Sequence, residues 1–324
     1  MVDCLCLGKE CEGGTLSFLP MQKRQTMSTE AKPFLKWAGG KGQLLAQIAA
    51  YLPRQIYNEP FTYIEPFVGG GAVLFYMLQH FDNLRKVVIN DVNEDLILTY
   101  RTIRNDVETL INTLKAVEED YLATSEQETR SSIFYEIREK YNRHEGCGVD
   151  RAAQLIFLNK TCFNGLYRVN SKGLFNVPFG KYANPTICNT NLLRADSQLL
   201  QKANVEICQG DYKHIVQHID GLTFVYLDPP YRPLDATSSF TAYAKGVFND
   251  DDQSNLAAFC NQLNDIGCYW MESNSDCSAK NPEDTFFEDL YKDYRIERVN
   301  AARFINANPS KRGKLTELLI RNYE

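Results

Sequence analysis

The sequence predicts an α/β fold: a doubly wound, mostly parallel sheet, closed by a C-terminal β-hairpin and interrupted by an inserted, mainly helical segment. Three observations carry this. Apolar runs at 62–65, 86–90, 205–208, 222–227 and 268–271 alternate with helix-period patterns such as 44–51, 73–79 and 252–265, the order of a parallel sheet covered on both faces. Two further runs, 295–301 and 315–322, flank the polar stretch Asn306-Ala307-Asn308-Pro309-Ser310 and so read as a hairpin. Between Asp95 and about Thr190 the alternation stops and helical patterns over 110–121, 131–142 and 151–158 take over. The expected division is a disordered extension over 1–30, a sheet domain over 31–99 and 188–324, and an insert over 100–187.

A chain of 324 residues, 44% of them apolar, can bury the core this requires. No run approaches the roughly 18 apolar residues of a membrane span, so a soluble protein with no membrane partner is expected. Ten cysteines include no CxxC pair and read as reduced thiols of a cytoplasmic protein. The four histidines, His80, His144, His214 and His218, form no Cys/His cluster at zinc spacing, and no metal is expected. The net charge of -6 hides local asymmetry: 151–182 carries five basic residues and no acid, and 303–314 carries four, again unopposed.

In chain order, the extension has Gly13-Gly14 to break any helix, and Cys4, Cys6 and Cys11 follow no metal spacing. Met21 and Met27 both precede the first convincing element, which suggests an upstream extension or a later start, and no secretory signal pattern is present. Phe34-Leu35-Lys36-Trp37-Ala38-Gly39-Gly40-Lys41 then forms a glycine turn ahead of the first helix. The first strand runs into Glu65-Pro66-Phe67-Val68-Gly69-Gly70-Gly71, and glycines at a strand-to-helix turn let the backbone approach a nucleotide or nucleoside. A dinucleotide fingerprint would need glycine where Leu74 stands, and no stretch supplies a P-loop, which disfavours a nicotinamide dehydrogenase.

The second strand ends in Asp91, about twenty residues past the glycines, where a carboxylate suits ribose hydroxyls; the lesser alternative is a helix N-cap for the following segment. The third ends in Gly210-Asp211-Tyr212, where Asp211 can accept from an adenine amine and Tyr212 can cover the base. The fourth ends in Asp228-Pro229-Pro230-Tyr231. Parallel strands deliver all these ends to one crevice at the carboxyl edge of the sheet. An exocyclic nucleobase amine is a poor nucleophile because its lone pair is delocalised into the ring. Two acceptors on its two N–H groups would localise that pair: the Asp228 side chain and the Pro229 carbonyl, aimed by consecutive prolines, with Tyr231 as a stacking face.

These motifs, with Lys36 to Lys41 and Glu65 to Gly71 in the same order, resemble the D12-class DNA adenine methyltransferases of the Dam and DpnII type over roughly 32–323. The resemblance implies a Rossmann-like methyltransferase sheet and S-adenosylmethionine as methyl donor. By motif match, Lys36, Trp37, Ala38 and Lys41 would line the donor site, with Phe67 and Gly69 at its glycine turn, Asp91 on the ribose, Asp211 and Tyr212 at the donor adenine, and Asp228 between donor and target. It implies in-line transfer to the N6 amine of an adenine, with no cysteine nucleophile. Such a base must leave the duplex, and Phe240-Thr241-Ala242-Tyr243 is positioned to order over it.

The insert carries Leu158 to Arg168 and Phe175 to Tyr182, which resemble the family's recognition hairpin. Phe163 would be the intercalating ring, where Dam has tyrosine, and Asn164, Leu166, Arg168 and Pro178 would contact bases, with Lys181 and Tyr182 beside them. The likeness to GATC-reading members makes GATC in duplex DNA the expected target. Lys311, Arg312 and Lys314 suit the DNA backbone or solvent equally. The expected protein is a monomer, working alone or paired with a restriction endonuclease. Two alternatives are methylation of RNA or of a cytosine amine, the cytosine-amine enzymes usually having Ser in place of Asp228, and a silent DNA-binding protein, which would be free to lose these motifs.

Overall fold

The computed structural model describes residues 30–234, 248–301 and 315–324. The extension, the 240–243 loop, the 306–310 turn and Lys311, Arg312 and Lys314 therefore lie outside the described residues. One sheet contains β1 (Phe61–Glu65), β2 (Leu84–Asp91), β3 (Val205–Gln209), β4 (Thr223–Leu227), β5 (Tyr269–Ser275), β6 (Arg295–Ala301) and β7 (Leu315–Arg321), in the order β3-β2-β1-β4-β5-β7-β6. Neighbours from β3 through β5 pair in parallel, and β7 pairs antiparallel with both β5 and β6. The hairpin expected from sequence is the β6–β7 pair, but the later strand enters beside β5 and leaves β6 at the edge.

Side chains alternate between two apolar cores, as strand geometry requires. Tyr63, Val87, Ile89, Phe224 and Tyr226 face one, with α1 (Leu45–Ala50), α2 (Ala72–His80), α3 (Glu94–Asn105) and α7 (Thr190–Lys202). Ile64, Val88, Val225, Leu227 and Trp270 face the other, with α8 (Asp250–Ile266) and α9 (Phe286–Leu290). Burial on both faces explains why β1 and β4 read as continuous runs rather than alternating ones. The start of α8 is set by a capping box between Asn249 and Asp252, and its end by Gly267 at φ +88°.

The inserted helices are α4 (Val107–Leu122), α5 (Gln127–Asn142) and α6 (Gly148–Thr161). Their core residues Leu110, Leu114, Phe134, Leu155 and Phe157 belong to the same apolar cluster as α3 and α7. Residues 99 and 100 both lie within α3. The fifth strand extends beyond the expected 268–271 because Glu272, Ser273, Asn274 and Ser275 pair with β7 and find buried partners.

One buried acid has a consequence for stability. Asp196 of α7 is fully buried; Oδ1 accepts from the Lys32 N–H at 3.1 Å and Oδ2 has no partner among the described residues. Burial pushes this carboxyl from its ordinary 3.8 to about 8, against the opposing pull of the Lys32 N–H and Lys160. Between those values the unfolded chain gives up its proton while the folded chain keeps it, so this group's contribution falls as pH rises, by about 1.4 kcal/mol per unit. Asp196→Asn is expected to flatten this slope and raise the melting temperature at pH 8 relative to pH 5. An unchanged slope between those pH values would contradict the assignment.

Candidate active site

β1 and β4 lie side by side, and the sheet order runs outward from them in opposite directions, through β2 and β3 on one side and β5 on the other. Such a switch point opens a crevice at the carboxyl ends of the strands. Asp228 follows the last residue of β4 into it. Its Oδ1 accepts from Lys41 Nζ at 2.7 Å and from Ser273 Oγ at 3.0 Å. Because Ser273 gives its proton to Asp228, the Tyr226 hydroxyl, 3.0 Å away, is the donor to Ser273. Oδ2 has no partner among the described residues, and the side chain keeps 20% exposure. Burial pushes this carboxyl above its ordinary value, while the Lys41 ammonium and the Ser273 hydroxyl pull it back.

Lys41 is only 4% exposed, also donates to the Gly39 carbonyl at 2.5 Å, and lies 4.6 Å from the centre of the Tyr231 ring. It is thus joined to the Asp-Pro-Pro-Tyr motif itself. The Tyr231 hydroxyl donates to Glu317 Oε2 of β7 at 2.7 Å, which fixes the ring's edge. The Pro230 carbonyl accepts from Gln253 Nε2 at 3.0 Å, and no donor among the described residues reaches the Pro229 carbonyl. A buried polar chain stands behind this contact: Asn274 Nδ2 donates to both Gln253 Oε1 and Glu272 Oε1 at 3.0 Å, and Tyr291 donates to Glu272. Burial holds Glu272 up at about 7.

The glycine turn lies next along the crevice. Gly69 has φ +47°, and a Cβ there would stand 2.9 Å from Trp37 Cδ1, so glycine both permits the backbone and makes room for the indole. Its N–H donates to Asp91 Oδ2 at 3.1 Å, and Asp91 Oδ1 accepts from the Asn93 N–H at 2.9 Å. The N-cap of α3 is Asn93, not Asp91. Asn90, 2% exposed, donates to the carbonyls of Pro66 and Gly210 and so ties the end of β2 to the loops after β1 and β3. Phe67 lies 5.2 Å from Tyr212 and 6.3 Å from Phe248, forming an aromatic group at the β3 end. Asp211 Oδ1 accepts from the Lys213 N–H at 2.8 Å and turns the chain beneath that group.

The expected recognition residues are gathered elsewhere, on an irregular hairpin after α6. The pairs Cys162–Phe179 and Val169–Phe175 and the bond from Phe163 N–H to the Pro178 carbonyl hold it closed. Phe163, Asn164, Leu166, Arg168, Pro178, Lys181 and Tyr182 are all exposed, Phe163 by 52%. Asn164 and Lys181 take left-handed backbone, which turns the chain sharply at both ends of this surface. Arg168 Nε donates to Asn176 Oδ1 at 2.8 Å, which braces the guanidinium. Lys36 is directed here: its Nζ donates to the Asn164 carbonyl at 3.2 Å, while Ala38 stays exposed on the turn before Lys41.

Sequence reasoning missed Ser273, Gln253 and Glu317. The available signal was the polar run at 272–275 directly after an apolar strand, since buried polar groups need partners and mark a built site. The described cysteines are free thiols, and burial pushes Cys162 up to about 11, far from thiolate chemistry. Among the described residues, Glu206, Cys208 and His218 bring three donor atoms within 4.8 Å. Lys86 Nζ sits 2.8 Å from Glu206 and already supplies the cation there. No helix among the described residues is long and apolar enough to cross a membrane.

Fold and crevice define the class: a doubly wound α/β protein with motif-bearing strand ends converging at its switch point. A family model, D12 class N6 adenine-specific DNA methyltransferase, matches residues 37–305, and the chain belongs to that family. It is similar to Type II methyltransferase M.MjaIII of Methanocaldococcus jannaschii, 49% identical over 91% of this chain and 100% of that one. Type II methyltransferase M1.LlaDCHI of Lactococcus lactis is 37% identical over 94% and 99% of the two chains. DNA adenine methylase of Escherichia coli is 30% identical over 89% and 94%. The family fixes the substrate as DNA and implies S-adenosylmethionine as the methyl donor.

Proposed function

We propose that the protein methylates the N6 amine of an adenine flipped out of duplex DNA at GATC sites. The observation that carries this is the state of the Asp-Pro-Pro-Tyr motif: Asp228 Oδ1 is taken up by Lys41 and Ser273, while Oδ2 and the Pro229 carbonyl have no partner among the described residues. Two unengaged acceptors suit the two protons of an amine. Lys41 and Ser273 hold the carboxylate in place, Gln253 fixes the peptide behind it, and Tyr231 offers its face to the base.

S-adenosylmethionine, when bound, supplies a methyl group activated by its sulfonium. Trp37, Gly69 and Asp91 would hold its central part, and Phe67, Tyr212 and Asp211 its adenine, with Phe248 added to that group by its ring contact. The amine nitrogen attacks the methyl carbon in line, the carbon–sulfur bond breaks with its electrons going to sulfur, and the surplus amine proton leaves to Asp228 or water. Positioning is the main task. No metal enters this scheme.

Residues 100–187 would act as the DNA-recognition part, with Phe163 and Leu166 as apolar wedges and Arg168 reading a base edge. Arg168→Ala is expected to cost about 1–3 kcal/mol of binding to the target site and to relax discrimination at one base pair, with little effect on other DNA. Competition binding with single-substituted duplexes reads this, and uniform weakening on all duplexes would count against base reading. The reading includes a monomer, working alone or paired with a restriction endonuclease. The proposal as a whole is tested by incubating plasmid with labelled S-adenosylmethionine and challenging it with nucleases that GATC methylation blocks. Unlabelled adenine would sink the reading; label without protection would sink only GATC.

A further inference from the structure

Asn159, near the end of α6, is 2% exposed, and its amide makes three hydrogen bonds. Oδ1 accepts from the Lys36 N–H at 2.9 Å, and Nδ2 donates to the Lys36 carbonyl at 2.8 Å and to the Gly165 carbonyl at 3.0 Å. One side chain therefore pairs with both backbone groups of Lys36, as a neighbouring strand would, and with its other proton grips the first turn of the hairpin. The contact is tight on both sides: Gly165 has φ +64°, and a Cβ there would stand 2.7 Å from Lys36 Cδ.

A second link runs parallel to the first. Trp37 stacks on Tyr167 of the hairpin, with ring centroids 4.9 Å apart and planes at 22°. The same indole fills the space above Gly69, whose N–H is held by Asp91. From the turn that carries Phe163 and Asn164, two short chains of contact thus lead to the glycine turn of the crevice: through Asn159 to Lys36 and its neighbour Trp37, and through Tyr167 directly to Trp37.

We propose that Asn159 is a positioning residue that couples the recognition hairpin to the donor site, with the Trp37–Tyr167 stack as its second arm, so that target DNA and methyl donor each strengthen binding of the other. This rests on the roles proposed above for hairpin and crevice. A fully bonded buried amide tolerates few arrangements, because any shift of Gly165 that does not carry Lys36 with it leaves polar groups unpaired. Whatever arrangement of the hairpin bound DNA favours is therefore imposed on Lys36 and Trp37. The effect is reciprocal by linkage and of the usual size for coupled sites, about 5–150-fold.

The test measures the affinity of the full-length protein for S-adenosylhomocysteine by calorimetry, with and without a duplex that the wild-type protein methylates. The ratio of the two dissociation constants is the coupling. A wild-type ratio of about 5 or more is expected, falling toward one in both Asn159→Ala and Tyr167→Ala and staying at the wild-type value in Tyr167→Phe, which keeps the stacked ring. If Asn159→Ala fails to fold, the two Tyr167 variants decide. A wild-type ratio of one, with both ligands binding, overturns the coupling and leaves the methyltransferase reading standing. Folded Tyr167→Ala that keeps the full ratio, or that weakens donor binding equally with and without DNA, overturns it too. A wild-type protein that methylates no duplex overturns the functional reading, and the inference with it.

Discussion

Asp228→Asn is expected to lower the rate of methyl transfer at saturating duplex and donor by more than about a thousandfold, at the upper end of what one well-placed polar group contributes. The substitution conserves shape, so the loss comes from polarity. Lys41 Nζ and Ser273 Oγ both donate to Oδ1, which forces the amide oxygen of asparagine into that position. The amide nitrogen then replaces Oδ2 and turns an acceptor toward the amine into a donor. Single-turnover assays read the chemical step, and fluorescence anisotropy on the same duplex shows whether DNA binding survives. A rate within tenfold of wild type would mean that Oδ2 does not grip the substrate.

Lys41→Met is expected to reduce transfer at neutral pH by about a hundred- to a thousandfold, the scale of breaking one side of a buried ion pair. The ammonium is 4% exposed and the carboxylate 20%, so water compensates poorly for the lost partner. Burial already holds Asp228 above its ordinary value, and Lys41 is the largest influence pulling it down. Without it the carboxyl stays protonated to higher pH. The acid limb of the pH–rate profile therefore moves upward, and the deficit shrinks as pH rises. A loss of equal size at every pH would place Lys41 in donor binding alone.

Much of the crevice could be read from sequence because each parallel strand ends on its own motif at one edge of the sheet. Glycines after β1, an acid after β2, Gly-Asp-Tyr after β3 and Asp-Pro-Pro-Tyr after β4 need only the fold to bring them together. What could not be read depends on which way a side chain turns. Lys36 and Lys41 stand in one motif, yet Lys36 reaches the Asn164 carbonyl and Lys41 reaches Asp228. Ser273 and Glu317 come from β5 and β7, whose antiparallel pairing no local pattern reveals. Asn159 looks like any polar residue on a helix until the chain 123 positions earlier is laid against it. In the sequence the fifth strand reads as stopping at Met271 because polar residues ordinarily mark a strand's end, whereas in the fold Glu272 to Ser275 continue it as buried residues.

The most direct test of the central claim digests methylated duplex to nucleosides and identifies the product by mass spectrometry, with wild-type protein and Asp228→Asn side by side. The expected result is N6-methyldeoxyadenosine from the wild type with a duplex that contains GATC and not with one in which that site is altered, and background from the variant. Methyl groups on cytosine, or equal yields from the two proteins, would contradict an amine-gripping role for Asp228.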